Sequence, residues 1–173
     1  MLDFWLVQTP ADKRFAVDPA LDAEIARRFG ALHTELAAGV PTAWTTTPRR
    51  LLAAVIVLDQ FSRNLHRGSG AAFAQDAAAR ALVRKALARG DDAAFDTVQR
   101  QFLYLPLMHS EAVADQTQSV ALYAASGDAD TLRFAEMHRD VVVRFGRFPG
   151  RNAALGRENS DEERAWLAGP QHF

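Results

Sequence analysis

An imidazole and a carboxylate stand two residues apart at His109-Ser110-Glu111, and a further histidine, His138, follows downstream. Both groups can ligate a metal or move a proton. The spacing fits no established metal pattern. The chain has no H-E-x-x-H, and its H-x-E is not followed by the P-C-x-x-C of a zinc deaminase. No metal and no cofactor is therefore expected. His109 and Glu111 are the catalytic candidates, as acid and base, weighed against a plain role at a helix junction, where Glu111 suits the positive end of the next helix. His138 falls on the apolar stripe Phe134, Ala135, Val141, Val142, Phe145 and reads as a hydrogen-bonded interior histidine. Ser62 with His66, or Ser110 with His109, has the residue types of a nucleophile and its base. Neither has a G-x-S-x-G elbow after a strand to carry it.

Cations form a second set. The stretch RFGRFPGRNAALGR, residues 144–157, holds Arg144, Arg147, Arg151 and Arg157 and no acid. Arg144 suits the last turn of a helix, and Arg157 can face Glu158 and the acidic cluster 161–163. Arg147 and Arg151 lie on non-helical backbone stiffened by Pro149 and flanked by Phe145 and Phe148. Guanidinium forks suit carboxylate and phosphate, so these two are either buried helix-to-loop ties or an anion site. Upstream, Asp59 and Arg63 stand at i, i+4 and can pair. That pair reads first as a structural tie between helices, with Asn64 beside it. A phosphate loop of the G-x-x-x-x-G-K-[ST] type is absent.

The whole chain bounds what these groups can serve. Its 173 residues are expected to make a single domain, 1–173, large enough for a real core. Twenty basic residues oppose twenty-one acidic ones, so neither nucleic acid nor an anionic membrane is an expected partner. There is no cysteine, which excludes disulfides, thiolate catalysis and cysteine-based zinc sites. The start, MLDFWLVQTP, lacks a basic start and a long apolar run, so a signal peptide is not expected. The longest pure apolar run, LLAAVIVL at 51–58, is far short of the roughly 20 residues needed to cross a bilayer. A cytoplasmic protein is expected.

The elements that must position these residues are helical throughout. Asp18-Pro19 opens a helix that Gly39 closes. Thr47-Pro48 opens a second, reaching about His66. Asp76 starts a third, ended by Gly90. Asp91 or Asp92 starts a fourth, which should falter before Pro106. Ser110 caps a fifth, ending near Gly127, and Asp128 caps a sixth, ending at Gly146. Ser160 and Glu163 make a capping box for a short last helix. The second helix is apolar on all sides at 51–58 and so belongs at the centre of a fold. Its interior stripe then turns polar at Asp59, Ser62, Arg63 and His66. Short connections favour antiparallel helical hairpins in an all-α stack.

LDQFSRNLHRG with AAFAQD, then LYLPLMHSEAVADQ, then RFGRFPGRNAALGR with SDEE, together resemble the bacterial family catalogued as "domain of unknown function 924". The likeness runs over almost the whole chain. It implies an all-α, tetratricopeptide-like superhelix with no established activity. The family pattern falls here on Asp59, Gln60, Phe61, Arg63, Asn64 and Arg67, on His109, Ser110, Glu111 and Gln116, and on 145–149, Arg151, Asn152, Gly156 and Arg157. Where the family commonly reads FGRFPHRN, this chain has Gly150. Two functions follow. The first is binding of a small anionic, phosphate- or carboxylate-bearing ligand, with or without catalysis. Its site is a polar groove between the second helix and the 146–157 segment, with Arg63, Arg67, Arg147, Arg151 and Asn152 as binders. The alternative is a non-catalytic helical-repeat module that docks a peptide or protein.

Overall fold

The computed structural model describes residues 1–170. Among them all regular structure is helical and no strand occurs. The chain divides into two compact units. One comprises Met1–Arg67 and Ala71–Pro106; the other comprises Gly68–Gly70 and the chain from Leu107 onward.

In the first unit, helix α1 (Pro19–Ala38) opens as its sequence directs: Asp18 Oδ1 accepts the amides of Ala20 and Leu21 at 3.0 and 3.1 Å. Its buried stripe is Ile25, Phe29, His33 and Leu36, the helical spacing of a half-buried element. Helix α2 (Pro48–Ile56) is capped by Thr47. It runs without a break into a π-helical turn, Val57–Phe61, and then into α3 (Ser62–Leu65). Every residue of 51–62 is buried, as the all-round apolar run requires. Helix α1 packs on the π turn and α3, and α4 (Asp76–Arg89) packs on α2. Around them Trp5 meets Phe61 and Phe102 edge-on, at ring centroids of 5.3 and 5.9 Å, and Phe29 lies 5.3 Å from Phe61.

Both ends of the fourth helix differ from the sequence expectation. The residues Asp91–Ala94 form only a 3-10 turn, and α5 (Thr97–Met108) starts later. The Asp96 carboxylate accepts the Gln99 amide at 2.8 Å and performs the capping. Helix α5 also continues through Pro106 to Met108. Proline's fixed φ is helical, so its cost is a lost N–H bond and crowding of the preceding turn. Burial of Leu103, Leu105, Leu107 and Met108 offsets that cost. The orphan Met108 carbonyl is met by Gln116 Nε2 at 2.6 Å.

In the second unit, α6 (Val113–Ser126) and α7 (Ala129–Phe145) form an antiparallel hairpin across Gly127-Asp128. Helix α6 begins after Ala112 rather than at Ser110. The Ser110 hydroxyl accepts the Ala112 amide and donates to Asp115 Oδ2 at 2.7 Å, so it braces the entry to the helix. Asp128 caps α7 as expected, and the Ser160–Glu163 capping box opens α8 (Asp161–Leu167). Val141, Val142 and Phe148 make a buried cluster against which Phe145 and Trp166 pack. Among the described residues no helix is long and apolar enough to cross a membrane.

Gly146 ends α7 in the left-handed region, φ 70°, and a Cβ added there meets nothing within 4 Å. Gly146→Ala should therefore cost only the backbone term, about 1–2 kcal/mol, read as a lower urea midpoint with an unchanged slope.

Candidate functional site

The π turn sets the polar end of the central helix in the first unit. It places Asp59, which is fully buried, next to Gln60, whose Nε2 donates to Asp59 Oδ2. Arg63 Nη1 donates to the Asp59 carbonyl at 2.6 Å and lies 3.3 Å from Asp59 Oδ1, which is the i, i+4 pair expected from the sequence. A second carboxylate, Asp76 at the start of α4, receives the Arg63 fork at 3.0 and 3.2 Å. Burial works against the charged guanidinium, but Asp59 and Asp76 together hold Arg63 more firmly protonated than usual. One turn on, Asp22 of α1 collects Asn64 Nδ2 at 2.7 Å and Arg67 at 2.5 and 3.0 Å. Arg67 also donates to the Ala16 carbonyl. Asp22 and Asp76 are the partners that sequence spacing missed, because they lie 45 and 13 residues from the arginines they meet.

Ser62 and His66 do not pair as nucleophile and base. Ser62 Oγ donates to the Leu58 carbonyl at 2.6 Å, and its other neighbour is His33 Nε2 at 2.8 Å. A hydroxyl has one proton. With that proton on the carbonyl, His33 must be the donor, so it cannot deprotonate Ser62 in this arrangement. Burial, and secondarily the charge of His66 5.4 Å away, push the His33 pKa down.

In the second unit, Glu111 receives both ends of the Arg157 fork at 2.8 and 2.9 Å and the Phe148 amide at 2.8 Å. Burial raises the Glu111 pKa. The Arg157 and Phe148 hydrogen bonds and the charges of Arg157 and Arg151 outweigh it, and the net shift is downward. Glu111 is thereby fixed as a carboxylate holding the Phe148 segment. The partner of Arg157 is this glutamate rather than the 161–163 cluster. His109 and His138 have ring centroids 6.3 Å apart. His138 is nearly buried, with Nδ1 donating to the Phe134 carbonyl at 2.7 Å, the interior histidine its stripe implied.

Arg147 binds Glu163 at 2.6 and 2.8 Å and the Glu158 carbonyl at 2.8 Å. The Arg147 bond and the Ser160 amide bring the Glu163 pKa down to about 2. Arg144 pairs with Glu162 at the surface, where such a pair is worth little. Arg151 lies over the Phe148 ring, 4.5 Å from its centre. Asn152 is fully buried and donates to Asn159 Oδ1 at 2.6 Å. Among the described residues no group of three or more metal-ligating side chains is placed to hold an ion.

An open surface pocket of about 310 Å³ lies elsewhere in the first unit. It is lined by Met1, Leu2, Asp3, Trp44, Arg49, Arg50 and Ala53. Arg49 and Arg50 occupy the first turn of α2, which contains no acid. Cations are disfavoured at that end of a helix. Neither guanidinium bonds a carboxylate among the described residues; Arg50 donates to the Ala43 carbonyl at 3.4 Å. No signal in the sequence separated these two arginines from the other sixteen.

This all-helical chain belongs to the family described as bacterial protein of unknown function, domain of unknown function 924, whose model matches residues 1–171. It is similar to the solved structure of a protein of unknown function, ATU0120 from Agrobacterium tumefaciens. The identity is 40% and the TM-score 0.91, over 96% of this chain and 94% of that one. No curated protein matches the chain.

Two outcomes follow from these bonds. The folded Glu163 pKa lies below its ordinary value of about 4.5, so the stability it confers is present above about pH 5 and is lost as pH falls toward 2. Glu163→Gln should be less stable than wild type at neutral pH, and the gap should close over that window in urea melts. At Gly150, φ lies outside the left-handed region and an added Cβ meets nothing within 4 Å. Gly150→His, the residue that the family resemblance implies there, should change stability by less than about 0.5 kcal/mol in the same assay.

Proposed function

We propose that the protein binds a small anionic ligand, bearing phosphate or carboxylate, in the cavity of the first unit at Arg49 and Arg50. The observation that carries this reading is that these guanidiniums line a cavity without a carboxylate partner among the described residues, at a helix end that is itself positive. The cations picked from the sequence are committed differently. Arg63, Arg67 and Arg147 are already forked onto Asp76, Asp22 and Glu163, so an incoming anion would have to displace a carboxylate from each. Binding is what is proposed; Glu111 is engaged by the Arg157 fork and the Phe148 amide.

The alternative, a helical-repeat module that docks a peptide, draws its support from Val7, Phe15 and Val17, which are large apolar side chains left exposed. Phe15 is 59% exposed and stacks on buried Phe102 at 5.7 Å.

Inorganic phosphate at about 100 times its Kd should stabilise the wild type by roughly 2.7 kcal/mol. The double variant Arg49→Gln, Arg50→Gln should lose that shift. Its own stability should stay within about 0.5 kcal/mol of wild type, since both side chains are exposed. Arg147→Gln should be destabilised with or without phosphate. Thermal melts read all of these. A wild type that ignores phosphate, or a shift that survives in the double variant, rejects the site.

A further inference from the structure

We infer that the occupant of the Arg49–Arg50 cavity is a nucleoside monophosphate, its phosphate on the two guanidiniums and its base against Trp44. The inference rests on the anion-binding reading above and adds the rest of the ligand. Trp44 lines the same cavity and is only partly buried, unlike Trp5 in the core of the unit. A large aromatic surface facing a cavity is a stacking platform that accepts any base.

That platform is held rigidly. Trp44 lies in the 3-10 turn Thr42–Thr45, where its amide donates to the Pro41 carbonyl at 2.9 Å. Helix α4 pins the next residue twice: Lys85 Nζ donates to Thr45 Oγ1 at 2.9 Å, and Arg89 Nη1 donates to the Thr45 carbonyl at 2.6 Å. The Arg50 bond to the Ala43 carbonyl keeps a guanidinium beside the same turn. Ring platform and cation are therefore set side by side before any ligand arrives, which lowers the entropy lost on binding.

The remaining chemistry narrows the class. Two guanidiniums suit one phosphate monoester, about −1.5 to −2 near neutral pH, and the Asp3 carboxylate in the same lining disfavours the further charge of a di- or triphosphate. Asp3 supplies an acceptor-only carboxylate to the lining, suited to ribose hydroxyls or an exocyclic amine. The volume, about 310 Å³, falls at the lower end of the range for small-molecule sites.

Calorimetric titration of the full chain with AMP, GMP, CMP, UMP, ribose 5-phosphate and inorganic phosphate tests this. At least one nucleotide should bind about tenfold or more tightly than ribose 5-phosphate. Trp44→Leu should bring that ratio to about one while leaving ribose 5-phosphate binding unchanged, and Trp44→Phe should keep part of it. Arg49→Gln with Arg50→Gln should weaken every phosphate ligand alike. If all four nucleotides bind no better than ribose 5-phosphate while phosphate still stabilises the protein, the base platform is rejected and the anion site stands. If the nucleotide preference persists in Trp44→Leu, the base lies elsewhere and the inference fails. If no ligand binds and phosphate gives no thermal shift, both readings fail together.

Discussion

The central helix of the first unit has no side left in water from residue 51 to residue 62. Any polar group in that span must find its partner inside the protein, because an unpaired buried carboxylate is too costly to keep. Asp59 and Gln60 bond each other, and Arg63 reaches back to Asp59 and across to Asp76. The start of α4 follows from this. Asp76 is the first residue of that helix, as the sequence indicates, and its carboxylate is engaged by Arg63. π-Helical turns recur at functional sites in other proteins. Here the turn delivers a carboxylate and an amide to a closed ion-pair network.

The second unit obeys the same constraint with other residues. The RFGRFPGRN segment is irregular backbone, and irregular backbone near a core needs partners for its amides and carbonyls. Glu111 takes the Phe148 amide, Arg157 takes Glu111 and reaches the Phe148 carbonyl, and Arg147 spans Glu163 and the Glu158 carbonyl. Two of its arginines, Arg147 and Arg157, each satisfy a carboxylate and a carbonyl at once. Three of the four cations in a run without acids in sequence thus meet acids in space, Arg144 at Glu162, Arg147 at Glu163 and Arg157 at Glu111.

Against that background Arg49 and Arg50 are set apart. They sit at a helix end that repels them, beside a rigidly held tryptophan and a cavity. The one bond the fold gains from that placement is the long one from Arg50 to the Ala43 carbonyl, 3.4 Å.

The helices were legible in the sequence because their signals are local. The Asp18, Thr47 and Asp128 caps, the Gly146 stop and the Ser160–Glu163 box each depend on residues within about one turn, and each stands where the residues put it. The burial of 51–58 was likewise written in composition. The passage of α5 through Pro106 was not, since a local penalty was overridden by the packing of the residues beyond it. The ion pairs were half legible. Asp59–Arg63 follows from helical spacing, whereas Asp22 with Arg67, Glu111 with Arg157 and Glu163 with Arg147 join residues 45, 46 and 16 apart in the chain. The sequence by itself determined the all-helical class and the family. Only the tertiary structure decided which of eighteen arginines meet an acid, because charge pairing depends on distance in space, and no periodicity along a chain records that distance.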